Sequence, residues 1–338
     1  MSCVLITGAT GFLGSHTAVS LSEHMDNLVL LDNLSTSNIG VLDKIYQIIG
    51  REIPYICGDV IDANLLEKTL RKYKVNAVVH FAGFKSVAES TDDPLRYYEN
   101  NVVGTASLVR AMEQCSVKKL VFSSSATVYG EPTYLPLDEL HPTSVESPYA
   151  RTKLHIEEFL TDIANAKKDW KIVSLRYFNP IGAHESGLIG DNPNHTPNNL
   201  MPYLVQVASG ERDELKVFGS DYQTRDGTGV RDYVHVDDLA EGHVAALEFA
   251  DKNSGHHIFN LGSGIGYSVH EVVDAFERVS GLRIPLKMVG RRKGDVAEYY
   301  ADAKKARRVL GWQTRRTIED MCRTSWHFKQ KLNDSRLR

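Results

Sequence analysis

The chain has 338 residues, of which 42% are hydrophobic and 24% charged, with a formal net charge of −4. This is the profile of a soluble globular protein, long enough for two lobes or one large α/β domain, and it lacks the basic stripe of a nucleic-acid binder. No apolar run approaches the ~18–20 residues of a membrane span, and the opening MSCVLITG is too short and lacks the charged flank of a signal peptide. The expectation is a soluble, unprocessed chain with neither membrane nor nucleic acid as partner. Cys3, Cys57, Cys115 and Cys322 are scattered, with no CxxC pair and no metal-ligand spacing. They read as buried thiols in a reducing, cytoplasmic setting, and no metal site is expected.

In chain order, CVLITG, LVLLDN, PYICGDV, AVVHFAG, KLVFSSS and KIVSLRYF are short apolar runs separated by segments of helical length. Repeated strand–helix units of this kind build a parallel sheet, and strands covered on both faces are apolar throughout. The fold class expected is α/β, a Rossmann-type doubly wound sheet with a smaller C-terminal α/β lobe. After the first strand, Gly8, Gly11 and Gly14 form GxxGxxG. Gly8 permits the tight turn, Gly11 lets backbone approach a pyrophosphate, and Gly14 allows close helix packing, with the helix N-terminus facing the anion. Asp32 ends the second strand, where a carboxylate accepts ribose hydroxyls and repels a 2′-phosphate, so the cofactor expected is NAD in preference to NADP. Asp59, at the tip of the third strand, is placed to hold an adenine amine.

Beyond Pro180 the strand–helix rhythm breaks. LMPYLVQVAS reads as a helix, KVFG as a strand, DYVHVDDLAEGHVAALEFA as strand then helix, HIFNLGSG as a strand, and SVHEVVDAFERVSG as a helix ending at Gly281. The expected division is a dinucleotide-binding domain over 1–180 and a substrate lobe over 181–338, with about 234–263 returning to the first domain. The polar tail KQKLNDSRLR reads as frayed.

SPYARTK sets Tyr149 and Lys153 four residues apart. With Ser147 as N-cap and Pro148 in the first helical position, both project from one helix face. By itself that spacing is an ordinary solvated helix surface. A cation ~6 Å from a phenol at an effective dielectric of ~20 is worth about 2.8 kcal/mol, or ~2 pKa units, so Lys153 has the means to turn Tyr149 toward a base.

TGATGFLG, Asp32, HFAG, SSSATVYG and the Tyr-x-x-x-Lys pair together resemble the extended short-chain dehydrogenase/reductase family, and within it the nucleotide-sugar 4-epimerases. HFAGFKSVAES, LRYFNPIGAH, PNNLMPY, DGTGVRDYVHV and FNLGSG carry the likeness over roughly residues 2–330. The resemblance implies interconversion of UDP-glucose and UDP-galactose with retained NAD, and a homodimer. It implies Tyr149 as base, Lys153 as its activator and Ser125 as proton bridge. The implied NAD contacts are Gly8, Gly11, Phe12, Leu13 and Gly14, then Asp32, Asn33, Ser35, Thr36 and Ser37, then Asp59 and Val60. Phe81, Ala82, Gly83, Lys85, Asn100, Ser123, Ser125, Tyr149, Lys153, Tyr177 and Phe178 complete that set. For the substrate the resemblance implies Lys85, Ser125 and Tyr149, with Asn179 and Asn199 near the phosphates and sugar and Leu200, Lys216, Val217 and Phe218 about the base. Arg231 and Arg292 match diphosphate ligands, Asp295 a ribose acceptor, and Tyr299 a position whose bulk discriminates against N-acetylated sugars.

Related dehydratases carry Asp-Glu where this chain has Ala126 and Thr127, which disfavours elimination. A dehydrogenase that releases NADH, and a catalytically silent sensor, are the remaining alternatives. Many relatives read Tyr-Gly-Lys-Ser-Lys, and the differing Ala150, Arg151 and Thr152 are expected to point off the Tyr/Lys face.

Overall fold

A computed structural model describes residues 3–193, 197, 199–292 and 294–336. Asn198 of PNNLMPY, Lys293 beside Arg292, and the last two residues of the tail lie outside the described residues. The chain runs β1 (Cys3–Thr7), α1 (Phe12–Ser22), β2 (Asn27–Asp32), α2 (Gly40–Ile49), β3 (Tyr55–Cys57), α3 (Ala63–Lys72) and β4 (Ala77–His80). There follow α4 (Val87–Asp92), α5 (Pro94–Tyr97), a π-helical turn (Tyr98–Val103), α6 (Gly104–Gln114), β5 (Lys119–Ser123), a 3-10 turn (Ala126–Tyr129), α7 (Pro148–Ala166) and β6 (Lys171–Tyr177). The remainder comprises β7 (Asn179–Ile181), α8 (Leu200–Ala208), β8 (Leu215–Phe218), β9 (Val230–His235), α9 (Val236–Lys252), β10 (Gly255–Leu261) and β11 (Gly266–Ser268). It closes with α10 (Val269–Ser280), β12 (Leu286–Val289), β13 (Glu298–Tyr299), α11 (Lys304–Leu310) and α12 (Ile318–Arg336).

Seven parallel strands form the main sheet in the order β10-β6-β5-β4-β1-β2-β3. The order reverses beside β1, so the crevice of an open α/β sheet falls at the carboxyl ends of β1 and β4. Successive side chains of β1 alternate between two cores: Val4 and Ile6 enter one, Cys3 and Leu5 the other. That double burial is why these strands are apolar along their whole length. α9 packs along α1 and feeds β10 at the sheet edge, so chain from beyond residue 181 completes the first sheet.

The second lobe has its own core around Leu204, Val272, Phe276 and Cys322. Its strands are β9 with β7, β11 and β13, and a separate parallel pair β8/β12. α10 starts with a reciprocal Ser268/Glu271 capping box and stops at Gly281, whose φ of 71° is left-handed. The tail departs from the expected fraying: α12 continues through it to Arg336. Buried Lys329 pairs with Glu211, and Trp326 packs edge-on against Phe276, which ties the helix down. Cys3 and Cys322 are buried and Cys115 partly so, but Cys57 is exposed where β3 ends. Among the described residues no helix is long and apolar enough to cross a membrane.

Candidate active site

The glycine loop between β1 and α1 is packed too closely for side chains. Gly8 has φ +70°, and a Cβ there would lie 2.7 Å from the Ala82 amide nitrogen; a Cβ on Gly14 would lie 2.1 Å from the Gly8 carbonyl oxygen. Gly11 is the N-cap of α1 and makes no side-chain capping bond, so the first N–H groups of the helix are left to an anion. Asp32, buried at the end of β2, accepts the Thr10 N–H (3.0 Å), the Leu34 N–H (2.8 Å) and the Ser37 hydroxyl (3.2 Å). This leaves part of the capacity of a carboxylate, about four lone-pair sites, for ribose hydroxyls. Asp59 accepts the Asn33 side-chain amide at 2.8 Å and the Ile61 N–H at 2.9 Å, and Asn33 in turn accepts the Ser35 N–H at 3.0 Å. Glycine cradle, uncapped helix and strand-end carboxylate together fit a dinucleotide with a free 2′-hydroxyl.

Tyr149 and Lys153 are both buried, not solvated. Ser147 caps α7 by accepting the Ala150 N–H at 3.2 Å, and Pro148 occupies the first turn, so the helix starts as the sequence predicts. The Tyr149 N–H donates to Ser90 Oγ at 3.1 Å. Ser125 Oγ accepts from Thr127 N–H (3.2 Å) and Thr127 Oγ1 (2.9 Å), which fills its two acceptor sites and leaves its own proton to donate. That donation favours the phenolate, whereas burial raises the phenol above its ordinary range, and burial is the larger effect. Lys153 Nζ donates to the Ser123 carbonyl at 2.6 Å and stands 4.9 Å from the Phe122 ring centroid. Burial pushes its ammonium down to about 8, against the pull of the Glu157 carboxylate. Tyr177 and Ser123 share a short hydroxyl–hydroxyl bond, and the His243 ring packs at a tilt against Phe81, at 4.6 Å, and Tyr177, at 6.3 Å.

Several supports had no expectation from the sequence. Asn101, in the π-helical turn beside Asn100, accepts the Phe84 N–H at 2.8 Å and donates to the Phe84 carbonyl (3.1 Å) and Thr152 Oγ1 (3.2 Å). Thr152 is therefore buried against the site and does not point away from it, and Ala150 is buried as well; Arg151 alone of the three faces solvent. Glu157 and Arg176 form a buried ion pair behind Tyr149 and Lys153. Its signal was an arginine one residue from the end of the mostly buried strand KIVSLRY, where a charge calls for a carboxylate partner.

On the second lobe, Arg231, Arg292, Asp295 and Phe218 come together. Asp295 lies 4.0 Å from Arg231 Nη2 and accepts from Arg292 Nε at 3.2 Å, while the Arg292 guanidinium stacks 4.8 Å from the Phe218 ring centroid. In β8, Lys216 and Phe218 face outward but Val217 is buried, so Val217 offers a ligand only its backbone. Asn179 opens β7, Asn199 is the N-cap of α8 without a side-chain capping bond, and half-buried Leu200 starts that helix. Lys85, reaching from beyond β4, stands 3.9 Å from Asp191. Tyr299 is buried, its hydroxyl donates to the Ala126 carbonyl, and its ring is 5.5 Å from that of Phe178. Asp232, next to Arg231, accepts from the Ser263 N–H and hydroxyl, the Gly264 N–H and the Ala301 N–H, binding three segments of the lobe into one frame.

A family model described as GDP-mannose 4,6 dehydratase matches residues 5–325. The chain is 49% identical over 326 residues to the UDP-glucose 4-epimerase of Bacillus subtilis, covering 96% of each chain. Over the same length, again 96% of each, it is 51% identical to the UDP-glucose 4-epimerase of Neisseria gonorrhoeae. The crystal structure of UDP-glucose 4-epimerase from Stenotrophomonas maltophila with bound NAD and formylated UDP-arabinopyranose superposes with a TM-score of 0.98 at 44% identity, covering 99% of this chain and 100% of that one. That of the Bifidobacterium longum enzyme with NAD+ and UDP gives a TM-score of 0.95 at 45% identity, over 98% and 99% of the two chains.

Proposed function

The chain belongs to the UDP-glucose 4-epimerases of the extended short-chain dehydrogenase/reductase family, and from that membership we infer how its own residues carry the reaction. It interconverts UDP-glucose and UDP-galactose, inverting C4 of the sugar with no net redox change. NAD, when bound, supplies the hydride acceptor and donor at C4.

Tyr149 takes the proton of the sugar 4-hydroxyl, Ser125 relays it, and Lys153 holds the nicotinamide ribose and contributes positive charge. The observation that supports this best is the convergence of the three: two buried side chains on one face of α7 and a serine hydroxyl that bonds the Tyr149 phenol, the Thr127 hydroxyl giving up its bond to Ser125 when the sugar 4-hydroxyl takes that place. Burial holds the Tyr149 phenol above its ordinary range, and the Ser125 hydrogen bond offsets only part of that rise. The positive charge of oxidised nicotinamide is the further cation the base requires.

We assign NAD to residues 1–180 with about 234–263, and the UDP-sugar to the rest of 181–338. Arg231 and Arg292 grip the diphosphate, where guanidinium forks are well matched. Asp295 takes the uridine ribose, and Lys216, Phe218 and the Val217 backbone take the base, with Asn179, Asn199, Leu200 and Lys85 alongside. A nucleotide held by charge and a hexose held by few charges lets the 4-keto sugar present either face.

Elimination, the chemistry in the family model's name, lacks its acids here. Ala126 has no acid, its carbonyl is taken by Tyr299, and the Thr127 hydroxyl is spent on Ser125. We further propose a homodimer formed by α5, the π-helical turn after it, α6 and α7, where Leu95 of α5 is 66% and Val103 of the turn 49% exposed, and a cytosolic setting for thiols none of which is in a disulfide. The experiment is incubation of the purified protein with UDP-galactose and no added NAD, followed by NMR of the sugar. UDP-glucose is expected; a 4-keto-6-deoxy sugar would instead establish elimination.

A further inference from the structure

The carboxylate of Glu157 is buried on α7, four residues beyond Lys153. Its Oε1 accepts from Ser124 Oγ at 2.5 Å and from Arg176 Nε at 3.0 Å; its Oε2 accepts from Arg176 Nη2 at 2.5 Å. Arg176 is on β6, Ser124 follows β5, and both are buried. Tyr129 covers the other face of the guanidinium at 4.8 Å and donates to Asn260 at 2.6 Å. Three elements thus meet on one carboxylate, and the residue after Ser124 is Ser125.

An ion pair needed only to fill this space has a cheaper alternative, since apolar side chains of similar volume are often as stable or more so. Two features make charge useful at this place. The first is that Lys153 is a buried cation that touches a carbonyl and a ring, and among the described residues no carboxylate lies within 4.0 Å of it. The second is that residues four apart on a helix stand over one another, so Glu157 is the anion one turn away.

We infer that Glu157 is a positioning residue for the epimerisation: clamped by Arg176 and Ser124, it holds α7 in register with the strand end that presents Ser125 and sets the charge of Lys153. This rests on the assignment of Lys153 and Tyr149 above. The groups facing Lys153 are Tyr149, the Ser123 carbonyl, the Phe122 ring and His80, whose imidazole burial keeps neutral, down to about 3. Those facing Glu157 are Arg176, Ser124 and, from β10, His256, likewise pushed down by burial to about 4. Glu157 is thus the negative charge acting on Lys153, and Arg176 is its counterweight.

The test is the pH profile of UDP-galactose turnover by the full protein with its cofactor, for Glu157→Gln and Arg176→Gln. Neutralising Glu157 makes Lys153 lose its proton more easily, so the alkaline limb moves down, by about two pH units for charges ~6 Å apart at an effective dielectric of ~20. Neutralising Arg176 leaves the carboxylate uncompensated and moves that limb up. Opposite shifts support the inference. If just one variant folds, its shift in the stated direction supports it and an unshifted limb overturns it. Shifts of one sign in both, or lowered turnover with unmoved limbs, would overturn it, as would folding lost in both and restored in the double variant. Lys153→Met separates the two readings: if it keeps near-normal turnover, the assignment of Lys153 fails; if it is inactive while the other limbs stay put, only the role of Glu157 fails.

Discussion

Burial raises the Tyr149 phenol, and the Ser125 hydroxyl offsets only part of that rise. The base proposed for Tyr149 is then held protonated until a further positive charge arrives, which would tie proton abstraction to a loaded cofactor. Tyr149→Phe is expected to cut turnover by about 10²–10⁴-fold, the usual worth of a positioned general base, with UDP binding measured by calorimetry unchanged. Near-normal turnover would refute the base. Burial pushes the Lys153 ammonium down to about 8, and a lysine carries its charge below its pKa and loses it above. Turnover is accordingly expected to fall as pH rises past that value, in a profile recorded with the cofactor bound. Tyr149 and Lys153 were legible as a pair because helix periodicity alone puts them on one face. Their burial, and Thr152 turning inward to Asn101, were not legible, because they depend on the π-helical turn from another part of the chain.

The element scale carries most of what the sequence made plain. Apolar runs covered on both faces, a glycine loop before a helix and a carboxylate at a strand end each follow from a local rule, and all appear where expected. Contacts between elements are less readable. Nothing in GVRDY marks Asp232 as the acceptor for four donors from two other segments. Asp232→Asn keeps the volume but turns an acceptor into a donor, leaving buried N–H groups unpaired at about 1–3 kcal/mol. A lowered Tm with weakened UDP binding is expected, checked by calorimetry. Tyr299 bridges the lobes through its bond to the Ala126 carbonyl. Replacing it with alanine is expected to raise turnover of UDP-N-acetylglucosamine relative to UDP-glucose, and comparable turnover of both by the unaltered protein would remove Tyr299 as the selective group.

At the scale of the whole molecule, a seven-stranded sheet has its crevice at the carboxyl ends of β1 and β4, and a second lobe brings Arg231, Arg292 and Asp295 together. The return of α9 and β10 to that sheet joins the lobes by covalent chain as well as by packing, so Arg231, on the strand leading into α9, is tied to the cofactor side. The proposed dimer is checked by sedimentation: Leu95→Asp, placing a charge on the exposed α5 face, is expected to shift the protein toward monomer. The central claim is that hydride leaves C4 and returns to the same sugar without escaping. UDP-galactose carrying deuterium at C4 and carbon-13 at the other sugar carbons, mixed with unlabelled substrate and turned over in ordinary water, tests it most directly by mass and NMR analysis of the UDP-glucose formed. The account predicts that the label stays at C4 of the molecule that brought it; deuterium lost to solvent, or appearing in released NADH, would contradict it.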